Sequence, residues 1–171
     1  MQQFLVILRG VTASGKSTIA KRFRNFEQNV VWLKVDNYKD FFAEDSSKAL
    51  EFVDGSALAT LKYLLDAGFS VVMESVFRNT ATIDESVELA KSKGVKSAVY
   101  QISCSLAELL VRDTTRAGIQ EGCREPLGSE VITRIYEHLE SNPYPNALRL
   151  DTEHMAIDQC VEQIKRDITS Q

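Results

Sequence analysis

The sequence is poor in the residues that build metal centres and disulfide frameworks. Its 171 residues include only three cysteines and two histidines, and no Cys-x-x-Cys pair occurs. Zinc modules and small secreted scaffolds depend on several such residues at close spacing, so the sequence excludes both as the basis of the fold. We expect Cys104, Cys123 and Cys160 to be reduced thiols in a cytoplasmic protein.

Long hydrophobic runs are also missing. The first apolar run extends only from Phe4 to Leu8, whereas a membrane-spanning helix needs about 20 apolar residues. The three residues before this run carry no basic group of the kind that opens a secretory signal. The sequence therefore predicts a cytoplasmic protein without a membrane-bound segment, and its length suits one domain over residues 1–171.

Positive charge is scarce beyond the first fifth of the chain. The net charge is −4, yet residues 1–34 contain six basic side chains and only one acidic one, so the remainder is strongly acidic. A basic region near the N-terminus suits a bound polyphosphate. The acidic remainder argues against a long nucleic-acid track, which requires many basic groups along a groove.

The sequence does contain one specific motif. Residues 10–17 read GVTASGKS and fit G-x-x-x-x-G-K-[ST], the phosphate loop, with an apolar strand before them and a helical sequence after them. Backbone N–H groups of such a loop and the N-terminus of the following helix bind phosphate. We therefore predict that nine consecutive residues bind ATP: Gly10, Val11, Thr12, Ala13, Ser14, Gly15, Lys16, Ser17 and Thr18.

Two residues of this motif have individual predicted roles. The ammonium group of Lys16 is a mobile point charge for the outer phosphates, so we assign it a catalytic role. The hydroxyl of Ser17 is a ligand for Mg²⁺, which prefers oxygen ligands. The blander interpretation is a glycine turn between a strand and a helix, and the flanking sequence disfavours it.

Carboxylates follow the next two predicted strands. Asp36 follows the predicted strand Val30–Val35, and Glu74 follows the apolar strand Phe69–Met73. Because ligands of parallel sheets bind at the carboxyl ends of the strands, we predict a Mg²⁺ site made of Ser17, Asp36 and Glu74. Asp36 either accepts the proton of an attacking hydroxyl or holds a water of Mg²⁺. The structural alternatives are a turn at Asp36 and a loop cap at Glu74.

A pair of arginines lies four residues apart on a predicted helix that begins at Ser105. We predict that Arg112 and Arg116 bind ATP and act in catalysis by neutralising charge on the transferred phosphoryl group. The glycine-rich sequence that follows them predicts a lid near residues 112–128. The alternative is that both arginines form ordinary ion pairs with nearby carboxylates.

Two further local expectations come from the sequence pattern. Residues 37–55 read as irregular, with a helix from Ser56 to Asp66 after them. The helix that begins after Ser105 is expected to start with a capping box, in which Ser105 is the N-cap and Glu108 is its partner.

The chain resembles a known group of enzymes at several places. Five stretches together are similar to small P-loop kinases of the chloramphenicol phosphotransferase type: GVTASGKST, VDNYKDFF, SVVMESVF, LLVRDTTR and ALRLDTEH. Zeta toxins and the kinase domain of polynucleotide kinase share this scheme, and the resemblance runs from about residue 3 to 168. It implies that Asp36 activates the acceptor hydroxyl and that Arg112 and Arg116 clasp ATP. ESVFRN replaces the D-G-F-P-R signature of adenylate kinases, so a nucleoside monophosphate acceptor is not expected.

The predicted fold is an α/β structure of the P-loop NTPase kinase type. It is a three-layer α/β/α sandwich around a five-stranded parallel sheet in the order 2-3-1-4-5, with the single domain covering residues 1–171. The predicted function is transfer of the γ-phosphate of ATP, with Mg²⁺, to a hydroxyl of a small molecule. The expected partners are thus a nucleoside triphosphate and a small hydroxyl-bearing acceptor, and the oligomeric state is left open.

Two other functions compete with this prediction. A 5′-hydroxyl polynucleotide kinase carries a basic residue after its aspartate, and Lys39 occupies that place, but no broad basic surface accompanies it. A nucleotide-dependent switch or ATPase is the alternative without phosphoryl transfer to an acceptor. The sequence lacks the N/T-K-x-D base reader that a GTPase switch would have late in the sheet.

Overall fold

The computed structural model describes residues 2–26, 28–42, 47–116 and 125–169. The strands are β1 (Phe4–Gly10), β2 (Val30–Lys34), β3 (Ser70–Ser75), β4 (Lys96–Ser103) and β5 (Leu148–Asp151). The helices are α1 (Lys16–Phe26), α2 (Ser47–Asp66), α3 (Ala81–Ser92), α4 (Leu106–Thr114), α5 (Ser129–Ser141) and α6 (Ile157–Thr169), and a 3₁₀ helix covers Val35–Phe41.

The five strands form one sheet in the order β2-β3-β1-β4-β5, and all four neighbouring pairs are parallel. This confirms the predicted order and the α/β/α class. Parallel neighbours cannot be joined by tight hairpins, so the chain crosses between strands through helices on the two faces. The carboxyl ends of all five strands consequently meet at one edge of the sheet.

The central strand β1 is buried on both faces, as its continuous apolar sequence requires. Its side chains alternate, so Val6 and Leu8 pack with α1 and α6, while Leu5 and Ile7 pack with α2 and α3. The sheet therefore separates two cores, which we call the α1/α6 face and the α2/α3 face.

Helix α2 is longer than the sequence pattern predicts. Residues 37–55 were expected to be irregular, but the 3₁₀ helix occupies their beginning and α2 begins at Ser47. Gly55 lies within this helix, is exposed and meets nothing within 4 Å, so it interrupts no packing. The helix is instead held by a continuous buried stripe at four-residue spacing: Ala49, Val53, Ala57, Leu61 and Leu65.

The start of α4 is capped by a more distant partner than the sequence predicts. Ser105 is the N-cap, as predicted, because its Oγ accepts a hydrogen bond from the Glu108 N–H. The predicted return bond from Glu108 is absent, since the Ser105 N–H donates to Glu153 Oε2 at 2.8 Å. The Glu108 carboxylate accepts from Arg112 instead, at 2.8 Å. Helix α4 is thus tied to the β5–α6 turn by its N-cap residue.

Among the helices of the described ranges, none is both long and apolar enough to cross a membrane.

Candidate active site

The phosphate loop between β1 and α1 has a backbone that glycine makes possible. Gly15 has a φ of 94°, and Ala13 reaches the left-handed region at 68°. A Cβ at Gly10 would lie 2.5 Å from the Ile102 carbonyl oxygen and 2.9 Å from Ser14 Oγ. That Ser14 Oγ is buried and has no hydrogen-bond partner among the described residues. A tight turn with a buried, unsatisfied hydroxyl fits a bound phosphate, whose oxygens are strong acceptors.

Lys16 is the first residue of α1 and is buried, with 7% of its surface exposed. Its Nζ donates to the Val11 carbonyl oxygen at 2.8 Å, so the ammonium group folds back over the loop. Burial lowers the pKa of Lys16, while the charges of Glu74 and Asp36 act in the opposite direction. The buried ammonium group is therefore flanked by the two carboxylates that the sequence singled out.

Ser17 and Glu74 are in direct contact. The Ser17 hydroxyl donates to Glu74 Oε1 at 2.6 Å, and Glu74 is 3% exposed at the end of β3. In the described part of the chain, no group of three or more His, Cys, Asp or Glu residues could hold a metal ion. The pair still fits Mg²⁺, which commonly takes one or two protein oxygens and completes its shell with water and phosphate oxygens.

Asp36 lies in the first turn of the 3₁₀ helix, directly after β2. Its Oδ1 accepts from Lys39 Nζ at 2.9 Å and from Ser75 Oγ at 3.4 Å. Ser75 follows Glu74 in β3, and consecutive strand residues point to opposite faces. Glu74 therefore contacts Ser17 on the α1/α6 face, whereas Ser75 contacts Asp36 on the α2/α3 face. Of the three predicted metal ligands, Ser17 and Glu74 touch, and Asp36 belongs to the neighbouring group.

Arg112 is fixed beside the phosphate loop through Thr152. Its Nη1 and Nη2 donate to Thr152 Oγ1 at 3.1 Å and to the Thr152 carbonyl oxygen at 2.9 Å. The Thr152 hydroxyl in turn donates to the Ser14 carbonyl oxygen at 2.9 Å. This role of Thr152 was not predictable from the sequence, because Thr152 follows a short strand far from the loop in the chain. Only the tertiary fold places Thr152 beside the phosphate loop.

Arg116 also lies near the loop, since its charge lowers the pKa of Lys16, although less than burial does. Its Nη1 donates to Asp113 Oδ1 at 3.4 Å and to the Glu125 carbonyl oxygen at 3.2 Å. Together with the Arg112–Glu108 pair, this shows that both arginines form the ion pairs weighed as their alternative role. Contact with ATP remains a prediction for both, and so does the lid, because residues 117–124 lie outside the described residues.

The remaining residues of the predicted nucleotide site lie in the same loop and helix. Val11 is buried, Thr12 is half-buried, and Thr18 is exposed in the first turn of α1. All nine predicted phosphate-loop residues thus form one continuous segment at the carboxyl edge of the sheet, beside Glu74 and Asp36.

Among known protein families, the model described as Zeta toxin matches residues 2–161. No curated protein matches the chain in sequence.

Many solved structures share the fold. An adenosine phosphosulfate (APS) kinase of Mycobacterium tuberculosis, solved with AMPPNP and APS, has a TM-score of 0.69 at 17% identity, over 99% of each chain. A gluconokinase from Sinorhizobium meliloti has a TM-score of 0.66 at 16% identity, over 98% of this chain and 92% of that one. A chain of the Pnkp1/Rnl/Hen1 RNA repair complex has a TM-score of 0.67 at 21% identity, over 82% of this chain and 46% of that one. These likenesses establish the P-loop kinase fold.

Proposed function

This chain belongs to the zeta toxin family, and we propose that it transfers the γ-phosphate of ATP to a hydroxyl group of a small molecule. One observation carries the proposal: a buried lysine, a serine–carboxylate pair and a second carboxylate lie together at the carboxyl edge of the sheet. A phosphoryl transferase needs a phosphate clamp, a metal position and a proton acceptor, and these groups supply one of each.

The nucleotide is bound by the phosphate loop. Its N–H groups and the N-terminus of α1 hold the phosphates, and Lys16 moves its donor from the Val11 carbonyl oxygen to a phosphate oxygen. Ser17 and Glu74 would hold Mg²⁺, which when bound neutralises charge on the outer phosphates. Arg112 and Arg116 are proposed to contact ATP from the α4 side, with Arg112 oriented by Thr152.

Asp36 is proposed to be the base. The acceptor oxygen forms a bond to the γ-phosphorus, the bond from that phosphorus to the ADP oxygen breaks, and the hydroxyl proton passes to the Asp36 carboxylate. Ser75 and Lys39 each donate a hydrogen bond to Asp36 Oδ1, so they hold the carboxylate in place. The same residue could instead bind Mg²⁺ through water. The effect of Asp36→Asn on nucleotide affinity separates these roles, because only loss of a metal ligand would weaken binding of ATP with Mg²⁺.

A small acceptor is favoured by the charge around Asp36. In the sequence, segments 37–55 and 75–82 carry five acidic residues against Lys39, Lys48 and Arg78, and this mixture would repel a polyanion. The APS kinase and the gluconokinase that share the fold are named for small acceptors. A polynucleotide 5′-hydroxyl is the second candidate acceptor, because Lys39 is bound to Asp36 and the RNA repair chain shares the fold.

The test is a transfer assay with γ-labelled ATP and Mg²⁺. Two acceptor sets are compared, a panel of small hydroxyl compounds and short 5′-hydroxyl oligonucleotides over a range of salt concentrations, with Asp36→Asn as the control. Label on a small compound that disappears with Asp36→Asn supports the proposal. Efficient labelling of oligonucleotides with a steep salt dependence would establish the polynucleotide kinase instead. A third outcome is ATP hydrolysis without label on any acceptor, at a rate that Asp36→Asn does not lower. That outcome would indicate an ATPase or switch.

A further inference from the structure

Arg9 is a fully buried cation next to the phosphate loop that the proposed mechanism does not use. It is the residue before Gly10 at the end of β1, and none of its surface is exposed. Burying an ionised group is costly unless hydrogen bonds replace its water. A position with this cost, one residue from the proposed active site, requires an explanation.

The guanidinium group of Arg9 joins three separate parts of the chain. Its Nε donates to the Phe77 carbonyl oxygen at 3.2 Å, in the loop between β3 and α3. Its Nη1 donates to Gln101 Oε1 on β4 at 2.9 Å, and its Nη2 donates to the Asn142 carbonyl oxygen after α5 at 2.8 Å. All three acceptors are neutral oxygens. The guanidinium group therefore forms three directed hydrogen bonds and no ion pair with a carboxylate.

The loop that Arg9 binds follows directly after Ser75, the last residue of β3. Arg9 is in register with Ser75 on one side and with Gln101 on the other, and residues in register share a face of the sheet. Two residues further on, Phe77 has a φ of 47°, which is uncommon for a bulky side chain. The Arg9 bond to its carbonyl oxygen and the burial of its ring hold this turn in place.

We propose that Arg9 is a positioning residue for the acceptor half of the site, by which we mean Asp36, Lys39 and the 75–78 segment. It fixes the 75–78 segment, so that Ser75 keeps its hydrogen bond to Asp36 and the carboxylate stays aimed at the acceptor. This inference rests on the proposed function for the role of Asp36. Arg9 lies on the α2/α3 face, whereas Glu74 and Ser17 meet on the other face, so nucleotide binding does not depend on it.

A purely structural role would predict a different response to substitution. Arg9→Met keeps a side chain of similar length, so it removes the directed bonds without a large loss of packing, at the cost of leaving three oxygens without their donor. Arg9→Lys keeps a positive charge but has a compact ammonium group that cannot reach three acceptors as the planar guanidinium does. Both variants should fold and both should loosen the same loop.

The control is Tyr100→Phe, in the strand that carries Gln101. Tyr100 is also fully buried, but its hydroxyl donates to Asp167 at 3.0 Å on the α1/α6 face. The substitution removes one partly buried hydrogen bond on the opposite face of the sheet from Arg9, without touching the loop. If Arg9→Met does not fold, Gln101→Leu, which removes one of the three acceptors, is measured in its place.

The experiment combines hydrogen exchange of the backbone amides, AMPPNP binding in the presence of Mg²⁺, and transfer kinetics. We expect the amides of residues 76–80 to exchange about tenfold faster in both Arg9 variants and at the wild-type rate in Tyr100→Phe. The Kd for AMPPNP should change by less than about twofold, and kcat for transfer should fall by about tenfold to 100-fold at an unchanged KM for ATP.

Three results would overturn the inference: unchanged exchange in the Arg9 variants, the same acceleration in Tyr100→Phe, or a loss of AMPPNP affinity as large as the loss of kcat. The exchange and binding measurements need no acceptor. A wild-type protein without transferase activity would therefore refute the proposed function while the loop measurements still decide whether Arg9 holds the segment.

Discussion

The candidate site has two halves that are built in different ways. The nucleotide half consists of residues 10–18 and Glu74, on the α1/α6 face. The acceptor half consists of Asp36, Lys39 and the 75–78 segment, on the α2/α3 face. The first half is nearly one continuous stretch of chain. The second is assembled at the ends of β2 and β3 and, in our proposal, depends on the buried Arg9 for its shape.

Because they are built differently, the two halves are expected to respond differently to substitution. A continuous loop keeps its shape through local backbone geometry, so loss of one side chain removes one interaction and leaves the others. In the acceptor half, loss of one side chain should also displace the groups that it contacts, because each group is positioned by contacts with other segments. Substitutions in the nucleotide half should therefore change nucleotide affinity, and those in the acceptor half should change the transfer rate alone.

The largest expected separation of the two halves comes from Asp36→Asn. The amide keeps the shape of the side chain but accepts a proton poorly, so transfer should fall by about 10²–10⁴-fold. The Kd for ATP and Mg²⁺, measured by calorimetry, should change by less than about twofold. If nucleotide affinity falls as steeply as the transfer rate, Asp36 helps to bind Mg²⁺. It would then belong to the nucleotide half of the site.

Lys16→Met should affect the nucleotide half most strongly. Transfer should fall by about 10²–10³-fold, as for loss of a donor aimed at developing charge, and the Kd for ATP should rise as well. The protein should still fold, because methionine has a similar length, although buried Glu74 loses a neighbouring positive charge. Unchanged turnover at saturating ATP would remove Lys16 from the mechanism.

Ser17 and Ser75 form a matched pair of serines, one in the nucleotide half and one in the acceptor half. Ser17 donates to Glu74 and Ser75 donates to Asp36, and both belong to the same sheet edge. Ser17→Ala should raise the Mg²⁺ concentration needed for half-maximal activity by about tenfold, since it removes one proposed ligand. Ser75→Ala should lower kcat a few-fold at an unchanged Mg²⁺ requirement. Equal Mg²⁺ dependence in both variants would contradict the assignment.

The smallest expected effect is a proton linkage at Lys16. Burial lowers the pKa of this ammonium group in the free protein below its ordinary value of 10.5, and a bound polyphosphate should raise it again. Binding at alkaline pH should therefore take up a fraction of a proton, and affinity should fall as the pH rises through the lowered pKa. Calorimetry in two buffers of different ionisation enthalpy measures this uptake.

The control for this linkage is Lys16→Met, which has no titrating group at the position and should show no proton uptake. Uptake of the same size in that variant would assign the linkage to another group.

The nucleotide half was predictable because its signal is local. Residues 10–17 carry their loop geometry in their own glycines, and their flanking strand and helix follow from hydrophobic periodicity. The placement of Asp36 and Glu74 beside them was also predictable, since strand ends of a parallel sheet meet at one edge. The sheet order is confirmed, and the roles of the individual residues stay predictions.

Contacts between distant residues were decided only by the tertiary structure. Arg9 binds residues 68 and 133 positions away, and Thr152 reaches Ser14 across 138 positions. The capping of Ser105 by Glu153 is of the same kind. Such pairs leave no period or spacing in the sequence, because their distance in space depends on how helices pack on the sheet. The phosphate loop and the location of the candidate site at the carboxyl edge of the sheet could thus be read from the sequence. The packing of helices on the two faces of the sheet determines which residues contact the side chains at that edge.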